Sequence, residues 1–254
     1  MDKILYKRNF LKNVIFRLDF IVDEKIFEQM MQKRNIDLLK TRFEILEPLQ
    51  TVKNTNFMIN VDNNTMEQQD KESKKYILKK KNQSATLIIE QNALVIDYSS
   101  YENAEMLKED IKILNTIISN VSISRVGLRY INYLECSKFG DINWNLYITD
   151  NLLNHQTIEY NGTLLQSITV TDIKYDNFII RFQHGIHNQN QPSDRVKDAF
   201  VLDFDAYTNN FGSTQNLEDT IEKWNEQIDY LFEKSITSEF RNILNDPESE
   251  LQLK

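Results

Sequence analysis

The sequence predicts an α+β protein of two related halves, with mainly antiparallel sheets and packed amphipathic helices. Three observations predict it. Short stretches with two-residue apolar alternation recur along the chain, and between them other stretches switch to helical spacing. One heptapeptide is written twice, "VIDYSSY" at 95–101 and "VLDFDAY" at 201–207. The halves expected from this recurrence are 1–136 and 137–254, packed as one globular unit.

Residues 14–22 place Phe16, Leu18 and Phe20 on one side and Arg17 and Asp19 on the other, which predicts a strand with one buried face. Asp23 offers a helix cap before Ile26, Phe27, Met30 and Met31, and helical character is expected to run through Leu38 and Leu39 until Pro48 closes the region. Phe57, Ile59 and Val61 alternate with polar residues, a further strand. Residues 62–75 have hardly an apolar side chain and read as an exposed loop. Stretches 76–80, 85–90 and 93–98 read as an antiparallel meander with Gln91 and Asn92 in its tight turn. Met106, Leu107, Ile111, Leu114, Ile117 and Ile118 then form the apolar stripe of a helix opposed by Lys108, Glu109 and Lys112, and a strand follows over 124–134.

In the second half, 143–148 reads as a strand, 167–175 and 177–184 as a strand pair, and 187–198 as a polar loop leading to the second heptapeptide. Ile221, Trp224, Ile228, Leu231 and Phe232 mark a helix, a shorter one follows around 240–244, and the chain after Pro247 is expected to fray. The heptapeptides share context as well as letters: each follows a meander and precedes a helix that opens with "LKEDI" at Leu107 or "LEDTI" at Leu217.

Composition narrows the function classes. The 254 residues are 41% apolar and 27% charged, with no run long enough for a membrane helix and no signal-peptide pattern at the amino terminus, so a cytoplasmic protein is expected. A single cysteine, Cys136, makes no internal disulfide and leaves no thiolate zinc cluster. A net charge of -8 opposes non-specific nucleic-acid binding, which needs surplus Lys and Arg. Only 5 glycines are present, and neither GxGxxG nor GxxxxGK[ST] occurs.

"RVGLRYINYLE" at 125–135, the strand before the first helix, the second heptapeptide and "SITSEFRNIL" together carry a family resemblance. The chain resembles a sporadically distributed, uncharacterised bacterial family of this size with the signature Arg-x-Gly-Leu-Arg-Tyr-Ile-Asn, matched here at Arg125, Gly127, Leu128, Arg129, Tyr130, Ile131 and Asn132. The resemblance implies no activity. The scattered occurrence of the family implies a link to mobile genetic islands or phage conflict.

Arg125 and Arg129 share one face of their strand with Gly127 between them, and their forks suit a phosphate or carboxylate ligand. The favoured alternative is that they pair with Asp97, Asp203 or Asp205 on neighbouring strands. Asp203 and Asp205 share a strand face about 7 Å apart, a spacing from which two carboxylates hold a divalent ion. Lys75, Lys79, Lys80 and Lys81 belong to the one concentrated basic stretch, Lys71 to Lys81, where Tyr76 offers a ring for stacking on a base. Such a run more often flanks a hairpin and guards an edge strand. His184 and His187 read as loop histidines rather than zinc ligands, and no GxSxG occurs. The expectation is a non-enzymatic macromolecular interaction protein, an accessory or inhibitory factor, with a protein partner and no cofactor. Nucleic-acid binding through the arginines and lysines, and metal-dependent hydrolysis at Asp203 and Asp205, are the alternatives; self-association is compatible with all three.

Overall fold

The computed structural model describes residues 6–21, 24–60, 65–118, 121–136, 142–153, 161–194, 196–212, 216–246, 248, 249 and 251, with 24–26, 54–60 and 65–71 described by their backbone. Among the described residues, ten strands form an antiparallel sheet accompanied by five α-helices, an α+β fold as the sequence predicts. By contact density the chain divides into two units. One, here the N-terminal unit, comprises Ile15–Val126 and Asn209–Gln215; the other, the C-terminal unit, comprises Met1–Val14, Gly127–Thr208 and Asn216–Lys254.

In the N-terminal unit, β1 (Leu11–Phe20) leads to α1 (Glu24–Met30), α2 (Lys33–Leu39), β2 (Ile45–Leu46), β3 (Gln50–Asn60), β4 (Thr65–Lys79), β5 (Ala85–Glu90), β6 (Ala93–Tyr98), α3 (Ala104–Ile118) and the start of β7 (Ile123–Glu135). The strand order is β2-β4-β5-β6-β1-β7, with β3 on β4. Alternation works as expected in the meander: Leu87 and Ile89 of β5, and Leu94, Ile96 and Tyr98 of β6, are buried with Phe16, Leu18 and Phe20 of β1. Leu107, Ile111, Leu114 and Ile118 on α3 are buried too. Asn103 caps that helix, its side-chain oxygen accepting from the Glu105 and Met106 N–H groups. The cap expected at Asp23 and the strand residue Val61 lie outside the described residues.

Residues 65–75 are no loop: they form the first part of β4, in register with β3 from Gln50↔Lys75 to Asn60↔Thr65. Thr51 and Lys53 on one strand and Glu72 and Lys74 on the other are exposed, so the pattern lacks the apolar alternation by which strands are recognised. Cross-strand pairing supplies what burial does not, as at Lys53 and Glu72, 3.2 Å apart.

In the C-terminal unit, the strand order from the first part of β1 is β1-β7-β10-β9-β8, with β8 at Ser167–Lys174, β9 at Ile179–Ile186 and β10 at Ala199–Thr208. Phe182 and Phe204 face each other in register and stack, centroids 4.6 Å apart. Helix α4 (Leu217–Ser235) buries Leu217, Ile221, Trp224 and Ile228, and α5 (Ser238–Asn245) buries Phe240, Ile243 and Leu244. Asn216 caps α4 and Thr237 caps α5. Residues 143–148 are not a strand. Trp144–Leu146 is a 3-10 turn, opened by the Asn143 side chain accepting from the Asn145 N–H, and only Ile148 makes an isolated bridge, to Ile236. Trp144, Tyr147 and Ile148 are the buried positions, and a spacing of three then one belongs to a turn.

Candidate functional site

Arg129 reaches β10 from β7 and closes its fork on Asp203, Nε donating to Oδ1 at 2.8 Å and Nη2 to Oδ2 at 2.5 Å. Asp203 is buried, and its hydrogen bonds hold the Arg129 pKa above the ordinary arginine range against the opposing effect of desolvation; the Asp203 and Asp205 charges act in the same direction. A carboxylate of the chain itself thus sits where a phosphate ligand would. The next row across the sheet continues the pattern: Asp205 lies opposite Arg181, and Arg181 lies opposite Asp172. There Arg181 makes a second fork, 2.8 and 2.9 Å, to the Asp172 carboxylate. Both Asp203 oxygens are engaged by Arg129, so this pair presents a neutralised rung of the sheet rather than two open metal ligands.

Within the N-terminal unit, Arg125 lies 3.8 Å from the Asp19 carboxylate, which also receives Arg17 Nε at 2.9 Å and Nη2 at 2.6 Å. The four candidate lysines do not share one surface. Lys75 is half-buried between Gln50 on β3 and Glu90 on β5. Lys79 meets Glu47 at 2.5 Å. Lys80 is buried, its ammonium 2.7 Å from Asp110. Lys81 is exposed, and its backbone N–H donates to Glu44, which lies below the usual carboxylate range through the backbone hydrogen bonds of Glu44 itself and Lys81. Tyr76 packs its ring 5.4 Å from Phe27 of α1.

Sequence reasoning missed a buried and closely engaged polar group of this unit. Asp110, on α3, has a fully buried side chain that accepts from Arg42 Nε at 2.8 Å and from the Tyr98 hydroxyl at 2.7 Å, besides the Lys80 contact. Arg42 also bonds Glu109 at 2.7 Å. The Lys80 ammonium stands 5.4 Å from the Phe43 ring and 5.5 Å from the Tyr98 ring. Desolvation, then the charge and hydrogen bond of Asp110, push the Tyr98 phenol far above its ordinary value, so it remains a donor. A signal existed: Asp110 falls three residues after Leu107 and four before Leu114, inside the apolar stripe, where a charge requires a partner. Arg42 and Lys80 come from remote elements, which no local spacing reveals.

Of the histidines, His184 is buried with its ring 4.9 Å from Phe182, His187 lies 3.3 Å from the Tyr133 hydroxyl, and His155 lies outside the described residues. Among the described residues no group of three or more His, Cys, Asp or Glu is placed to hold a metal ion. Cys136 is buried, and burial together with the Asp198 and Glu135 charges raises its thiol to about 11. No described helix is long and apolar enough to cross a membrane. Comparison with protein-family models and with curated proteins finds no match to the chain.

Proposed function

We propose that the protein is a non-enzymatic macromolecular interaction protein that engages another protein, as an accessory or inhibitory factor of the kind linked to mobile elements or phage conflict. The observation that carries this reading is one face of the N-terminal meander. Ile77, Ile88 and Val95 stand in a single register row across β4, β5 and β6, half-buried, on the face opposite the core residues Leu78, Leu87 and Ile96. The rows on either side are polar, Lys79–Thr86–Asp97 and Lys75–Glu90. An apolar strip within a polar rim is the anatomy of a protein interface. The engagement of Arg129 by Asp203, of Lys79 by Glu47 and of Lys80 by Asp110 weighs against nucleic acid, which needs those cations for phosphate.

Duplication belongs to the same reading. Strands β6 and β10 each end a three-stranded meander, each carries one copy of the heptapeptide, and each precedes an amphipathic helix capped by an asparagine. The bacterial family resemblance and a cytoplasmic location, which suits the free buried thiol of Cys136, complete it.

The test is affinity isolation of the tagged chain from its native cells, followed by reconstitution with whatever protein co-purifies. A stoichiometric protein retained by wild type and by a folded Arg125→Ala/Arg129→Ala variant, and released by Ile88→Asp/Val95→Asp, is the expected result. Nucleic acid in place of protein, lost from the double arginine variant, would sink the proposal.

A further inference from the structure

The strand order has β2 at one end, with the ribbon that β3 makes along residues 65–75 of β4, and β8 at the other. Among the described residues β8 pairs with β9 alone, so its other side is an edge of the sheet. The hairpin between the two strands fixes which backbone groups face outward. Tyr175 N–H bonds the Phe178 carbonyl, and in an antiparallel ladder bonded pairs alternate with unbonded ones. Thr169, Thr171 and Ile173 therefore bond β9, while the N–H and C=O groups of Ile168, Val170, Asp172 and Lys174 point away from it.

Natural edge strands are guarded by shortness, proline, bulges or charge. β8, "SITVTDIK", has no proline or glycine, and five of its eight residues are β-branched. Positions 169–172 are exposed on both faces of the strand, Val170 at 54%. Its two charges, Asp172 and Lys174, balance, and both Asp172 oxygens already receive Arg181. A net charge of -8 opposes association of two copies in general, but no such excess lies along this edge. The strand is also complementary to itself. Laid antiparallel on a second copy about a two-fold axis at Val170, it sets Val170 against Val170, Thr169 against Thr171 and Ile168 against Asp172. Like side chains meet at the centre and no like charges are opposed. In this register the outward groups of Ile168, Val170 and Asp172 are the ones that become bonded.

We infer that β8 is a self-association edge: two copies of the chain join their β8 strands antiparallel about a two-fold axis at Val170, and the sheet continues from one copy into the other. Reciprocal backbone hydrogen bonds at Val170, and between Ile168 of one copy and Asp172 of the next, hold the pair, and the two Val170 side chains meet at its centre. The inference goes beyond the interaction reading and does not rest on it.

The test is analytical ultracentrifugation of the intact purified chain up to about 1 mM, with amide exchange followed in dilute and concentrated samples. Two variants accompany wild type, both checked for native near-UV circular dichroism. Val170→Lys sets like charges against each other at the axis, and Val170→Pro removes an N–H that the β9 ladder does not use. Wild type should show a monomer–dimer equilibrium that tightens as salt screens the net charge of -8, and the Ile168, Val170 and Asp172 amides should exchange more slowly as the dimer forms. Val170→Lys should weaken the dimer at least about tenfold, and Val170→Pro should abolish it. A chain that stays monomeric throughout, a dimer that a folded variant preserves, a dimer that salt disrupts, or protection confined to other strands overturns the inference. So does a β8 whose amides are protected only when a co-purifying protein or nucleic acid is added.

Discussion

At the scale of single residues, several buried and half-buried charges are neutralised by other residues of the chain, and the cost of removing a partner follows from burial. Asp110 is wholly buried beneath two cations and a phenol, so Asp110→Ala strands Lys80 and should cost about 3–5 kcal/mol in urea unfolding. Tyr98→Phe, which deletes one donor and leaves the cations, should cost about 1 kcal/mol. Arg129→Ala falls between, about 1–3 kcal/mol: Asp203 is left buried, but the arginine is 38% exposed and water replaces part of its role. For Cys136 the folded state favours the neutral thiol, so its contribution is complete below the unfolded pKa near 9 and disappears as pH rises to about 11. The stability difference between wild type and Cys136→Ala should therefore shrink across that window, measured by chemical denaturation at stepped pH. Asp203 was legible as a partner for Arg129 because both lie on alternating strand faces. Asp110 was not, since its partners Arg42 and Lys80 are brought to it only by tertiary folding.

The elements most legible in the sequence are those that bury one face along their whole length, whereas the helical stretch after β1 divides into α1 and α2 and is followed by the short strand β2. The meander 76–98 and the helix over 104–118 gave strong signals because packing demands a period, two in one case and 3.6 in the other. β4 was misread over 65–75 because a ribbon with polar exposed positions has no such demand, and 143–148 because Trp144, Tyr147 and Ile148 mimic strand composition without its spacing. Two glycines separate backbone need from spare room. At Gly185, φ is +140° and a Cβ would stand 1.9 Å from the Ser167 carbonyl oxygen, so Gly185→Ala should break the β8–β9 pairing, lower stability by roughly 3 kcal/mol or more and expose its amides to exchange. At Gly127 the nearest atom to an added Cβ is 4.0 Å away, and Gly127→Ala should change the unfolding midpoint by less than about 1 kcal/mol equivalent.

At the scale of the molecule, fold class was legible from composition and alternation, but strand order was not. β1 pairs with strands far along the chain: Phe20 N–H bonds the Asn92 carbonyl, and Tyr133 N–H bonds the Phe10 carbonyl. Such closures dominate the folding barrier, so refolding from urea should proceed on a time scale of about milliseconds to seconds, with the Phe16→Ala variant losing about 3–5 kcal/mol from a fully buried central ring. The candidate site was legible only in part for a related reason, since Arg129 meets Asp203 across β7 and β10, strands far apart in the chain. The β3–β4 ribbon stands apart from this economy. None of its described side chains belongs to the buried core, while Leu78, Leu87 and Ile96 behind it do. Over evolutionary time, selection is therefore free to lengthen, trim or rewrite the ribbon without disturbing the sheet. Lineages descending from this chain should differ more in the ribbon than in the meander, whose buried positions tolerate less change.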